Sequence, residues 1–321
     1  MEVDKVILPR HKRVENPPRI QLTERDIQVI LAVYDYRVLR RDQIERMFFP
    51  SKNTANERLK LLYQHWFLER RWLPVAYGEG MGQAIYLLDK QGADVVAEQL
   101  GIDRGGVSWQ DAHNHVLSLF LEHVLLVNDI RITLNIAARQ AGYTIDKWVK
   151  EEELKVAKEY VYLTMPSGAK RKVAVIPDAY FALNLGDKRA HFFLEADRAT
   201  EANKRWAQKV QAYQVYTQSG KYTERFGTRS LRVLTVTTGE KRLANIKRAT
   251  EETGGGQMFW FTTFKEAQEE RILGAPIWQV AGRVGPQSQV GSRKSPLIVT
   301  HITGVYFPFH TWSLPPLGQS S

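Results

Sequence analysis

The stretch that decides the fold reads Val175-Ile-Pro-Asp-Ala-Tyr-Phe-Ala-Leu183, then Asn184-Leu-Gly-Asp-Lys188, then Arg189-Ala-His-Phe-Phe-Leu-Glu-Ala-Asp197. Two apolar, aromatic runs flank Gly186-Asp187, a pair suited to the centre of a tight hairpin loop. A loop centred there sets Asp178 opposite Glu195. Directly opposed Cβ atoms in a sheet lie about 5 Å apart, and like charges that close repel. A chain keeps such a pair when a cation sits between them, usually a divalent metal on oxygen ligands. Asp178 and Glu195 are therefore the candidate metal ligands. In an extended strand Asp197 falls on the same face as Glu195, which makes it a third candidate acid.

The surroundings of this hairpin are basic. The 321-residue chain carries a net charge of +10, with a pI near 9.6. From Arg198 to Arg248 there are 12 Lys/Arg against 3 Asp/Glu. A basic field beside a metal-binding acid pair suits a polyanion, above all nucleic acid. With 43% hydrophobic residues and a mean hydropathy of −0.37, the chain reads as globular, with room for two domains. There is no cysteine, which removes disulfides, thiolate zinc sites and cysteine nucleophiles. No membrane-length apolar run and no signal peptide are present, so a cytoplasmic protein without a membrane partner is expected.

Residues 1–20 are charged and contain Pro17-Pro18, and read as a flexible basic arm. Thr23 is placed to cap a first helix that carries Ile27, Ile30, Leu31 and Tyr34. A second short helix runs from Arg40 to Phe48 and stops at Pro50. A third follows Ser51 or Asn53, with Ala55, Leu59, Leu62 and Tyr63 inward. Strands at Phe67–Leu73 and Ala84–Leu88 flank a Gly-rich turn, and a further helix spans Lys90–Leu100. Three helices and a two-stranded wing describe a winged helix-turn-helix over 21–102. Its third helix presents Lys52, Asn53, Thr54, Asn56, Arg58 and Lys60, with Arg70 and Arg71 in or near the wing. These residue types clamp phosphates and read base edges of double-stranded DNA.

Gly101–Gly106 reads as a linker to a second domain over 107–275, and 276–321 as a Gly/Pro/Ser-rich tail. A long helix from Gln110 to Gln140 carries His115 and Glu122, two turns apart; satisfied partners on a half-buried helix explain them better than a metal pair. The order from Gln110 onward is helix, three strands including the hairpin, helix, strand. Helices are also expected at Glu240–Thr253 and Thr263–Ile272. The helix after the hairpin, Glu201–Thr217, places Ala202, Trp206, Val210 and Tyr213 on one stripe, which Lys209 interrupts. A lysine there either snorkels to solvent or reaches the carboxylates.

The αβββαβ order, with Pro177-Asp178 before one strand and Glu195 in the next, resembles the PD-(D/E)XK nuclease-like superfamily. That resemblance implies an α/β (α+β) fold of the restriction-endonuclease type. It implies an Asp and a Glu holding Mg²⁺ or Mn²⁺, with a lysine two residues after the Glu. Here that position is Asp197, and Lys209 is the candidate replacement cation. The string Glu195-Ala196-Asp197-Arg198-Ala199-Thr200, with Lys209 and Tyr213, the Leu22–Asp26 helix start, and His115 before Asn128-Asp129, further resembles the replication-relaxation family of plasmids and mobile elements. That likeness extends over roughly Gln21 to Ile272. It implies a DNA-binding protein acting in replication or DNA relaxation, alongside other replication or mobile-element proteins. With an acid at the lysine position, the nuclease-like domain is expected to be weak or inactive. An active metal-dependent endonuclease using Asp178, Glu195, Asp197 and Lys209 is the alternative, and a transcriptional regulator or docking subunit a third reading. The oligomeric state is not legible.

Overall fold

The fold comes from a computed structural model describing residues 9, 12–73, 82–110, 114, 118–165 and 167–283. Most of the Gly-rich turn between residues 73 and 84, His113, His115 and the chain from 284 lie outside the described residues. The chain divides into two compact units, Met1–Ile132 and Thr133–Ser321.

The first unit begins with α1 (Glu24–Tyr36), β1 (Val38–Arg40), α2 (Arg41–Phe48) and α3 (Lys52–Gln64). It continues through β2 (Leu68–Trp72), β3 (Ala84–Leu88) and α4 (Lys90–Leu100). β1, β3 and β2 form an antiparallel three-stranded sheet in that order. Thr23 caps α1 in a capping box whose other half is Asp26, satisfying donors that the first helical turn leaves unpaired. Ser51 caps α3 through the Thr54 N–H. Three residues, Val38–Arg40, are too short for an alternating pattern to announce, so β1 was not foreseen.

The arm is not wholly loose. Arg13 donates to the Tyr63 carbonyl at 2.8 Å and to Asp89 at 2.5 Å, and its guanidinium lies 3.8 Å over the Trp66 ring. Gln64 brackets the backbone of Lys12 and Val14. An arginine that stacks and pairs at once holds the segment from residue 12 against the helices.

α5 (Ser118–Gln140) contains the division between the units, rather than the Gly101–Gly106 segment. Leu121 and Leu125 pack against Val38, Ile85 and Leu87. The Asn128 amide donates to the carbonyls of Tyr36 and Val38. Those contacts bind the start of α5 to the first unit.

At Gly92, in α4, an added Cβ would lie 2.1 Å from the Phe67 carbonyl oxygen and 2.8 Å from Leu88 Cδ1. Gly92→Ala is expected to destabilise the first unit by about 3 kcal/mol, since backbone cannot yield as a side chain can. A lowered urea midpoint with unchanged m-value is the readout.

The second unit holds β4 (Thr144–Lys150), α6 (Glu151–Val156), β5 (Glu159–Thr164), β6 (Lys170–Val175), β7 (Ala179–Asn184) and β8 (Arg189–Asp197). After these come α7 (Asn203–Gln218), α8 (Lys221–Phe226), β9 (Arg232–Thr237), α9 (Glu240–Glu252), β10 (Phe259–Thr263) and β11 (Gln279–Val280). Six strands form one mixed sheet in the order β11-β10-β9-β8-β7-β4, and β5-β6 is a separate two-stranded ribbon. The β4, β7, β8 part is antiparallel; α7 and α9 cross over to the parallel strands β9 and β10. This keeps the helix–three strands–helix–strand core, with α6 and the ribbon inserted after its first strand. β7 to β10 are buried almost throughout, as strands covered on both faces are.

The hairpin register is as read: Ala179 pairs with Leu194 and Asn184 with Arg189, around Gly186 at φ 91°. Two expectations are corrected. Residues 264–274 form turns, not a helix; Phe264 N–H bonds Thr237 O and Trp278 Nε1–H bonds Ile272 O, contacts that favour a compact turn run. The segment from 276 is not tail from its start, because β11 adds an antiparallel edge to β10.

Candidate active site

Asp178 lies one residue before β7. Its N–H donates to Leu194 O at 3.0 Å, and its Oδ2 accepts the Ala196 N–H at 2.7 Å. The carboxylate is thus anchored across the hairpin, beside Glu195. Glu195 is only 3% exposed. Two residues of α7, one helical turn apart, grip it. Lys209 Nζ donates to Oε2 at 2.7 Å, and the Tyr213 hydroxyl donates to Oε1. Positions i and i+4 share a helix face, so one stripe of α7 delivers both groups. Its neighbours Trp206, Val210 and Tyr216 fill the core, with Trp206 Nε1–H bonded to Thr250. Lys209 therefore reaches the carboxylates.

The electrostatics follow from burial. Desolvation pushes the Glu195 carboxyl up to about 7; the Asp178 charge adds to this, while Lys209 and Tyr213 pull it back. Burial alone would lower the Lys209 ammonium, but the charges of Glu195, Asp178 and Glu201 outweigh it and hold the proton more firmly than usual. Burial, with Glu195 beside it, keeps the Tyr213 hydroxyl protonated. Around neutral pH Lys209 is thus a fixed cation and Tyr213 a fixed hydroxyl donor, while Glu195 titrates. Thr235, the β9 register partner of Glu195, has a fully buried hydroxyl with no hydrogen-bond partner among the described residues.

Asp197 points to a different role from the one its strand position suggests. Arg242 grips both its oxygens, at 2.9 and 3.0 Å, and Thr237 Oγ1–H donates at 2.6 Å. Burial would raise its carboxyl, but these hydrogen bonds hold it below the usual range. Arg242 was missed because it lies 45 residues away on α9, and no local spacing announces it. No group of three metal-binding side chains occurs among the described residues.

In the first unit the candidate DNA readers part company. Lys52, Asn53 and Thr54 are exposed at the start of α3, and Asn56 and Lys60 are half-buried. Arg58 turns inward: its Nε donates to Asp26 at 2.6 Å and its Nη2 to Gln21 O at 2.6 Å. Arg70 is buried, its guanidinium 4.4 Å over the Tyr63 ring. Arg71 donates to the Asn114 carbonyl. These three arginines hold the unit together, a use that residue type alone does not separate from phosphate binding.

The sequence model of the replication-relaxation family matches residues 31–231, more than half of the chain and all of Asp178, Glu195, Lys209 and Tyr213. The chain belongs to the replication-relaxation family. No curated protein matches it. Among solved structures, that of the restriction endonuclease FokI is similar at 11% identity and a TM-score of 0.26, covering 76% of this chain and 42% of that one. The chain thus spans less than half of that enzyme, and at this TM-score the likeness carries no argument. Within this replication-relaxation protein, Asn128 and Asp129 are structural: Asp129 accepts from Arg40 at 2.8 Å and from Gln43 at 2.8 Å, joining α5 to α2. Among the described residues no helix is long and apolar enough to cross a membrane.

Proposed function

We propose that this protein binds double-stranded DNA through its first unit and hydrolyses phosphodiester bonds in its second, in the replication or relaxation of a plasmid or mobile element. The observation that carries the reading is the 2.7 Å contact of Lys209 with Glu195 beside Asp178. From sequence, Asp197 at the lysine position argued for a weak or inactive domain. A lysine arriving from α7 supports the active reading instead.

Asp178 and Glu195 fit a hard divalent cation: both are carboxylates, and the charge of one raises the proton affinity of the other. Two carboxylates suit Mg²⁺ or Mn²⁺ that keeps most of its waters. When bound, such an ion would lower the pKa of a water and offset charge on the phosphoryl oxygens. Asp178 and Glu195 would hold it. Lys209, kept protonated by its acidic neighbours, cannot be a general base; it orients Glu195 and offers positive charge to the phosphate. Tyr213 keeps Glu195 in one rotamer. Asp197, committed to Arg242, ties β8 to α9 and takes no part in the chemistry.

A second reading has its own observation. Both Glu195 oxygens already accept a hydrogen bond, so the cluster is paired without a metal and would serve a replication factor that holds DNA without cutting it. Supercoiled plasmid incubated with the protein and Mg²⁺ or Mn²⁺ separates the two. Nicking by the parent protein, lost in Asp178→Ala, is expected. Salt-sensitive binding without nicking would leave the second reading.

A further inference from the structure

The β5–β6 ribbon has two unlike faces. Val161, Leu163 and Val175 point into the core of the second unit with Tyr213 and Tyr216. The opposite face carries Tyr160, Tyr162 and Thr164 from β5, and Lys170 and Lys172 from β6. Tyr162 pairs directly with Lys172, and Thr164 with Lys170. Tyr162 is 57% exposed, and both lysines are exposed. Lys172 Nζ lies 4.1 Å over the Tyr160 ring. From Tyr160 to Val175 the chain has three cations, Lys170, Arg171 and Lys172, and no acid. β6 ends three residues before Asp178.

A large exposed ring beside two lysines suits one ligand chemistry in particular. Lysines alone would serve a duplex backbone, whose bases are stacked inside. An exposed ring adds something only when an unpaired base can lie on it. We propose that the outer face of the β5–β6 ribbon binds single-stranded DNA, with Lys170 and Lys172 on phosphates and the Tyr162 ring under a base. The ribbon that would hold the unpaired strand leads along the chain to Asp178, three residues past the end of β6. This rests on the DNA-binding reading above, though not on cleavage.

The test measures binding of the full chain to fluorescent dT20 and to a 20-base-pair duplex over a salt series, without divalent metal. Tyr162→Ala is expected to weaken dT20 binding about tenfold and to change duplex binding less than twofold. The Lys170→Ala/Lys172→Ala variant is expected to reduce the dT20 salt slope by about 1.4. All three side chains are exposed, so folding is not at stake. If the parent protein binds neither DNA, the DNA-binding reading falls and takes this one with it. If the parent binds dT20 and the variants bind equally well, the ribbon inference alone is overturned. Equal losses on dT20 and duplex in Tyr162→Ala would also overturn it, because a stacked base is then not what the ring contacts.

Discussion

Lys209→Met is expected to slow metal-dependent nicking at least about 100-fold at pH 8, the scale on which removing one preorganised charge acts. The side chain keeps its length and its place in the α7 stripe, so the core formed by Trp206, Val210 and Tyr213 survives. What is lost is the ammonium on Glu195 Oε2. Without it the buried carboxyl, already raised to about 7, rises further, so less of it is ionised at pH 8. The variant should therefore bind Mn²⁺ more weakly as well as cut more slowly. A variant that cuts slowly but binds Mn²⁺ normally would place Lys209 on the phosphate alone.

Arg58→Ala should destabilise the first unit rather than merely weaken its grip on DNA. Asp26 is 0% exposed, and both its oxygens accept from Arg58. Removing one partner of a buried ion pair costs about 3–5 kcal/mol. Arg58 is itself partly exposed, so about 3 kcal/mol is expected. Asp26→Asn/Arg58→Met, which removes both charges, should recover much of this. Urea unfolding of the two variants decides the point. A stable Arg58→Ala protein with weak duplex binding would return Arg58 to the DNA interface.

The parts of the molecule that were legible share a cause. The β7–β8 register follows from one loop and a strict period of two, so the meeting of Asp178 and Glu195 could be read before any coordinates. α3 and α4 carry clear caps at Ser51 and Asp89 and strong apolar stripes. The contact of Lys209 with Glu195 was half legible: a cation on an apolar stripe was visible, its direction was not. Long-range pairings were not legible at all. Arg242 with Asp197 and Arg58 with Asp26 each join helix to strand or helix to helix across the fold, and nothing local marks an arginine for that use. β1, β6 and α8 were missed because they are short or strongly polar, and tertiary packing decides such segments.

In the proposed site Asp178 and Glu195 hold a divalent ion in exchange for the Glu195 proton. Relative to its ordinary value of 4.5, the carboxyl is raised to about 7 in the fold. Its protonation therefore favours the folded state at low pH, and that contribution is lost as pH rises from about 4.5 through 7. Above pH 7 the repelling carboxylates are ready for a cation. Calorimetric titration of the protein with Mn²⁺ at pH 6 and pH 8 tests this directly. Binding about tenfold tighter at pH 8 is expected, with proton release at pH 6, and loss of binding in Asp178→Ala. Mn²⁺ uptake that is absent, or unchanged by that substitution, would contradict it.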